Sequence, residues 1–178
     1  MKTFPVDPIT RTRRNHAFEH ASMQLLARRA PGVRMAGYST PGGFFIIGQV
    51  HISDVQEAVN EALARLQKGE SGLAIHPYCG TNFVVSGIAA GLAAWLAMLG
   101  GENTLRERAG RLPVVAAAAT LALMLTFPLG PRLQARVTTD AHLGGAQVAR
   151  VDRFVRGPLV VHRIAVRYPA AENEETRL

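Results

Sequence analysis

The chain has 178 residues, 48% of them apolar, and carries 20 Lys and Arg against 13 Asp and Glu for a formal charge of +7. Cys79 is its one cysteine, which excludes an intramolecular disulfide and fits a reducing compartment. Lys2 and Lys68 are the only lysines, and the arginines are scattered without an aromatic stacking platform. Nucleic acid is therefore not the expected partner, and an anionic lipid bilayer is.

Met1 to Arg14 is polar and interrupted by Pro5 and Pro8, so no signal peptide is expected and a later apolar segment must direct insertion. Arg11 to Arg29 reads as a helix stopped by Pro31-Gly32, with His16, His20, Met23 and Ala27 along one stripe. Val33 to Ser39 and Phe44 to Ile52 read as strands around the turn Thr40-Pro41-Gly42-Gly43. Ser53 with Gln56 predicts a capping box opening a second helix, which runs to about Lys68 and is closed by Gly69. These elements make an αββα unit. Leu73 to Ile75 is expected as a further short strand that delivers His76.

No Asp, Glu, Lys or Arg occurs between Glu70 and Glu102, or between Arg111 and Arg132. Phe83 to Gly100 and Leu112 to Leu129 are each long enough to approach a bilayer core of about 30 Å, with Pro113 expected in the first turn of the second helix. Gly87 and Gly91 form a GxxxG pair that would allow close helix approach. A helical hairpin buried in a soluble protein is the alternative. Arg106, Arg108 and Arg111 fall in the connection between the spans while the other basic residues flank it, which favours cytoplasmic termini of a multi-pass cell-membrane protein. Ala146 to Phe154 and Leu159 to Tyr168 read as two more strands, followed by a polar tail from Ala170 expected to be disordered.

The expected fold is thus α+β: a soluble part over 1–82, a transmembrane helical hairpin over 83–130, strands over 131–169 that complete the soluble part, and a tail over 170–178. A second copy of the chain or a membrane-complex subunit is the expected protein partner.

The chemistry concentrates in two places. His16-Ala-Phe-Glu19-His20 puts two imidazoles four residues apart on one helix face with a carboxylate beside them, the layout of an inverted zinc-protease motif, HxxEH. His76-Pro-Tyr-Cys79-Gly-Thr then supplies an imidazole and a thiol at a tight turn before the first apolar run. Neutral imidazole and thiolate both suit Zn²⁺, so His16, His20, His76 and Cys79 are the candidate metal ligands. If all four bind, the site is closed and structural. If Cys79 stands back, a position is left open and Glu19 is the candidate general base. Asp140 is an outside candidate for a ligand or for a group that orients one. His51, His142 and His162 read as ordinary core or surface residues, and Arg11, Arg13 and Arg14 as a solvated or lipid-facing edge.

Asn15-His-Ala-Phe-Glu-His-Ala21 followed by His76-Pro-Tyr-Cys-Gly-Thr-Asn82 resembles a family of small bacterial membrane proteins, domain of unknown function 6391. The order of the two motifs is also similar to that in domain of unknown function 1385, with HGAEHK then HPxCGT before a membrane helix, whose members are described only as suspected metal-dependent enzymes. The resemblance implies a membrane location and a metal site on His16, Glu19, His20, His76 and Cys79, and no substrate. Known proteases with the inverted motif use a downstream glutamate as third ligand, for which this chain offers no clear equivalent. Two functions follow as expectations: a zinc-dependent hydrolase of the membrane, or a non-enzymatic scaffold or accessory subunit with a structural metal site.

Overall fold

The computed structural model describes residues 7–99 and 104–169, which divide into two compact units. One unit is formed by residues up to His76 together with those from Ala135 onward, and the other by Pro77–Gln134. The tail from Ala170 and the chain from Gly100 to Asn103 lie outside the described residues.

The first unit begins with α1, Pro8–Arg29, longer at its start than the apolar periodicity implies. Asp7 is the cause: its Oδ1 accepts hydrogen bonds from the amides of Ile9 and Thr10, each 3.0 Å, and Pro8 occupies the first helical position. Strands β1, Ala36–Thr40, and β2, Gly43–Ile47, pair antiparallel around a two-residue Pro41-Gly42 turn. Gly43 sits at φ +141°, and a Cβ there would strike the backbone carbonyl of Ile164 on the next strand. β2 ends at Ile47, short of the expected Ile52, because Gly48 turns the chain away beneath Arg34 and Met35.

Helix α2 spans Ile52–Gln67. The expected capping box does not form: His51 occupies the cap position without a side-chain capping bond, which leaves Ser53 inside the first turn. Gly69 at φ +91° ends the helix as expected. The expected strand at Leu73 to Ile75 is instead a 3-10 turn, Ser71–Ala74. The carbonyls of Leu73 and Ile75 accept hydrogen bonds from Gln24 Nε2, and that of Ala74 pairs with His20. Side chains of α1 thus take the carbonyls that a neighbouring strand would have needed.

Strands β3, Gln147–Arg156, and β4, Leu159–Arg167, complete an antiparallel sheet of order β1-β2-β4-β3, with a bulge in β3 between Val148 and Arg150. The fold of this unit is α+β. Phe44, Ile46, Ile164 and Val166 lie on the covered face of the sheet, and Phe18, Leu25, Leu26, Val55, Val59 and Ala62 of α1 and α2 complete the core. Phe18 and Phe44 meet edge to face with centroids 5.1 Å apart.

The second unit holds α3, Gly80–Met98, and α4, Leu105–Thr126, followed by a short helix α5, Leu129–Leu133, and the start of a π-turn, Gln134–Thr138. Both long helices begin earlier than expected. Arg106, Arg108 and Arg111 therefore lie in the first turns of α4 rather than in a loop, and Pro113 lies inside the helix rather than in its first turn. The helices pack through small residues: Ser86, Ala89, Ala93 and Ala97 of α3 and Val115, Ala118, Ala122 and Thr126 of α4 are half-buried. Thr126 Oγ1 lies 3.4 Å from Ser86 Oγ across the pair.

Large apolar side chains point the other way, with Ile88, Leu92, Trp95, Leu121 and Leu125 all exposed. Gly87 and Gly91 do not make the helix contact, since a Cβ on either would enter open space. Alanine performs that role, its methyl small enough for close approach. Near α5, Gly130 abuts the Asn82 side chain, which accepts from Gln134 Nε2 and donates to the Pro77 carbonyl, each at 2.7 Å. Both long helices are long and apolar enough to cross a bilayer, and almost none of either is buried. The alternative of a buried hairpin in a soluble protein does not fit that exposure.

Candidate metal centre

Helix α1 presents two polar rows to different neighbours. Asn15 and Glu19 face β1, where Asn15 Nδ2 donates to the Thr40 carbonyl at 2.7 Å and Glu19 accepts from Ser39 Oγ. His16, His20 and Gln24 face the segments around Ala74 and Thr138.

His16 Nδ1 lies 2.9 Å from the carbonyl oxygen of Thr138, and His20 Nδ1 lies 2.7 Å from that of Ala74. A carbonyl only accepts, so in each neutral imidazole Nδ1 carries the proton and Nε2 keeps its lone pair. This is how metal-binding histidines are commonly oriented by a neighbour behind the ring. The two ring centroids are 4.2 Å apart, and a ligating nitrogen of one lies within 4.8 Å of a ligating nitrogen of the other. Small rotations bring that spacing to what two ligands of one zinc ion require, given Zn–N bonds of about 2.0–2.1 Å. His76, at the end of the same unit, sets its ring 5.6 Å from that of His20.

Glu19 is only 5% exposed. Besides the hydroxyl of Ser39, its carboxylate lies over Gly37, where a Cβ would collide with the carboxylate and with Met23 Sδ. Gly37 therefore makes room for a buried acid beside the histidine pair. Cys79 belongs to the second unit, where it is buried at the cap position of α3 with Sγ 3.4 Å from Thr81 Oγ1. It lies three positions along the chain from His76, so the two Cα atoms are never more than about 11 Å apart.

Asp140 is committed elsewhere. Its carboxylate pairs with Arg14 Nε at 3.1 Å and with the amide of His142 at 3.0 Å, and its own amide donates to the Arg13 carbonyl. Burial works to raise its pKa, but the His142 amide and the Arg14 guanidinium outweigh that and hold it below the usual carboxylate value. Asp140 thus fastens to α1 the segment whose Thr138 carbonyl orients His16. Arg13 supports the same segment by donating to the carbonyls of Arg136 and Thr139 at 3.0 and 3.2 Å. Arg11 and Arg14 lie over the Tyr168 ring, each 5.9 Å from its centroid. The three arginines, expected as a solvated or lipid-facing edge, are half-buried clamps.

Tyr168 donates from its hydroxyl to Asn15 Oδ1 at 2.8 Å, and burial raises its pKa. A cleft of about 340 Å³ opens beside these clamps, with Arg13, Ser71, Ala74, Thr139, Asp140 and His142 in its walls. Of the other histidines, His142 is exposed against Asp140 and His162 is buried within the sheet.

Sequence reasoning did not find the carbonyls of Ala74 and Thr138, since any residue type supplies a carbonyl. It also missed Ser39 and Gly37, which only strand pairing carries to Glu19.

The family model for a domain of unknown function, DUF6391, matches residues 11–151, which covers both motifs. An uncharacterised protein of Picosynechococcus sp. (strain ATCC 27264 / PCC 7002 / PR-6) is 36% identical over 137 residues, 71% of this chain. The match spans 65% of that relative's length. No solved structure matches the chain.

Proposed function

The chain belongs to the DUF6391 family, and we propose that it is an integral membrane protein that holds a zinc-class ion with His16 and His20, joined by His76 and Cys79. The observation that carries this reading is the pair of Nδ1 atoms tied to backbone carbonyls, which makes Nε2 the nitrogen with which each ring would ligate. Isolated core histidines need no such matched orientation. Cys79 is included because chain length alone keeps it near His76 and because thiolate with imidazole is a donor set that suits zinc.

The bilayer part of the proposal rests on α3 and α4, whose small residues face inward and whose large apolar residues face outward, as expected when lipid is the solvent. In it the two helices form a multi-pass hairpin of the cell membrane with both termini cytoplasmic, the side favoured by the flanking arginines.

Bound zinc in an open site would supply Lewis acidity and a water-derived nucleophile at neutral pH. A second reading, hydrolysis with Glu19 as general base, draws support from the burial of that carboxylate one residue before His20. The Ser39 hydroxyl on Glu19 favours the other role, in which the carboxylate holds β1 against α1 and the ion staples the N-terminal helix.

Paired variants separate the two. If Glu19 is a base, Glu19→Gln keeps the metal and lowers the activity or complementing phenotype about 10²-fold or more, as His20→Ala also does. Full complementation by Glu19→Gln with normal metal content, beside none by His20→Ala, defeats the hydrolase and leaves the structural ion.

A further inference from the structure

We propose that the tip of the β3–β4 hairpin, with the cleft beside it, is a docking site for an anionic phospholipid surface. In this arrangement Phe154, Val155 and Leu159 enter the lipid interface, while Arg153 and His51 take a headgroup phosphate.

Along β3 the alternation of buried and exposed positions lapses at the end, where Arg153, Phe154, Val155 and Arg156 are all exposed. Phe154 and Val155 point to opposite faces of the ribbon, so the tip is covered on neither side. Phe154 is 48% exposed, Val155 55% and Leu159, across from Arg156, 56%. Three large apolar side chains at one tip form a patch of the kind that marks an interaction surface. The tip is braced rather than loose: Gly157 turns it at φ +56°, and Gln49 Nε2 donates to the Pro158 carbonyl at 3.0 Å.

Charge selects the occupant. Asp152 is the sole acidic residue of the hairpin; it pairs with Arg150 at 2.8 Å and lies opposite Arg163 in the strand register, so no acid in the hairpin sits across from Arg153, Arg156 or Arg167. At the base of the tip lies a cleft of about 410 Å³ lined by Gln49, Val50, His51, Ile52 and Arg153. A phosphate fits that volume beside a guanidinium. RNA would satisfy the arginines but has no apolar layer to receive the tip, whereas an anionic phospholipid surface offers both chemistries.

The test uses the full-length protein in nanodiscs of phosphatidylcholine, with or without phosphatidylglycerol. In Trp95→Phe/Phe154→Trp the introduced indole is the sole tryptophan, and brominated lipid should quench it in the anionic discs only. Arg153→Glu with Arg156→Glu should abolish that quenching, while Arg156→Lys, which keeps the charge, should retain it. By the strength of a basic side chain near an anionic leaflet, each arginine is worth about a five-fold change in partitioning. Equal acrylamide access to the indole in both disc types overturns the proposal, as does quenching that ignores phosphatidylglycerol or protection by an RNA oligonucleotide instead of lipid. The inference shares only the bilayer with the function proposed above. Lipid quenching of Trp95 in the unaltered chain reports the spans by themselves, so failure of one reading is distinguishable from failure of the other.

Discussion

Helix α1 and the hairpin of α3 and α4 solve opposite problems. In α1 the large apolar side chains Phe18, Leu25 and Leu26 are fully enclosed, and Asn15, Glu19 and His20 are buried among them with hydrogen-bond partners. In the hairpin the half-buried contact residues are mostly small and large apolar ones face outward. Water drives the first arrangement, since burying apolar area there is worth about 25 cal/mol per Å². The second is the arrangement expected where lipid is the solvent and helices associate through close packing. The contrast is what the proposed bilayer location requires, and the buried polar chemistry lies in the first unit.

Core truncation should break this contrast most visibly. Phe18→Ala should cost the first unit about 3–5 kcal/mol in chemical denaturation, whereas Leu92→Ala on the outer face of α3 should leave that transition unchanged. A large loss from Leu92→Ala would mean that α3 is packed against protein rather than solvated by lipid.

Glycines sharpen the comparison at smaller scale. Gly37→Ala forces a methyl into the Glu19 carboxylate and should destabilise the first unit by about 1–3 kcal/mol, measured by thermal unfolding. Gly87→Ala and Gly91→Ala open onto empty space and should be neutral or slightly helix-stabilising, by less than about 1 kcal/mol.

Acid should act on the first unit through His162, which is 0% exposed and whose ring nitrogens have no partner in hydrogen-bonding geometry among the described residues, although the Ile46 and Val50 carbonyls lie close. Burial lowers its pKa below 6.5. As pH falls past 6.5 the unfolded chain takes a proton that the folded chain refuses. The contribution is therefore complete above that pH and is lost progressively below it. His162→Leu should flatten this part of a stability-against-pH curve, and a curve that keeps its slope would assign the proton elsewhere.

Much of this architecture is legible in the residue pattern. The charge gaps mark both long helices, and alternation marks β3 and β4, because each rests on solvent contrast summed over many residues. The short strand expected at Leu73 was lost to a local competition for carbonyls that Gln24 and His20 win from forty-nine or more residues away. The capping box at Ser53 failed because the helix starts two residues sooner, with His51 at the cap and Ile52 as its first residue. At the candidate site His16, Glu19 and His20 follow from helical spacing, but the groups that orient them do not. Thr138 and Ala74 act through backbone atoms, and Arg13 and Arg14, which read as a surface charge run, support one of those carbonyls from more than a hundred residues away. Arg14→Ala should accordingly have a small effect, at most about 1 kcal/mol of stability for a partly exposed pair, together with a modest loss of metal affinity.

The central claim is that the His16 and His20 imidazoles turn their Nε2 atoms toward one metal ion. Zinc-edge X-ray absorption on the detergent-purified full-length protein, with elemental analysis of the same sample, tests it most directly. The account predicts about one zinc per chain, with at least two nitrogen ligands at about 2.0–2.1 Å and a sulfur at about 2.3 Å, and loss of that metal from folded His16→Ala and His20→Ala. Zinc retained in full by both variants, or a folded protein that takes up no zinc at neutral pH, would contradict it.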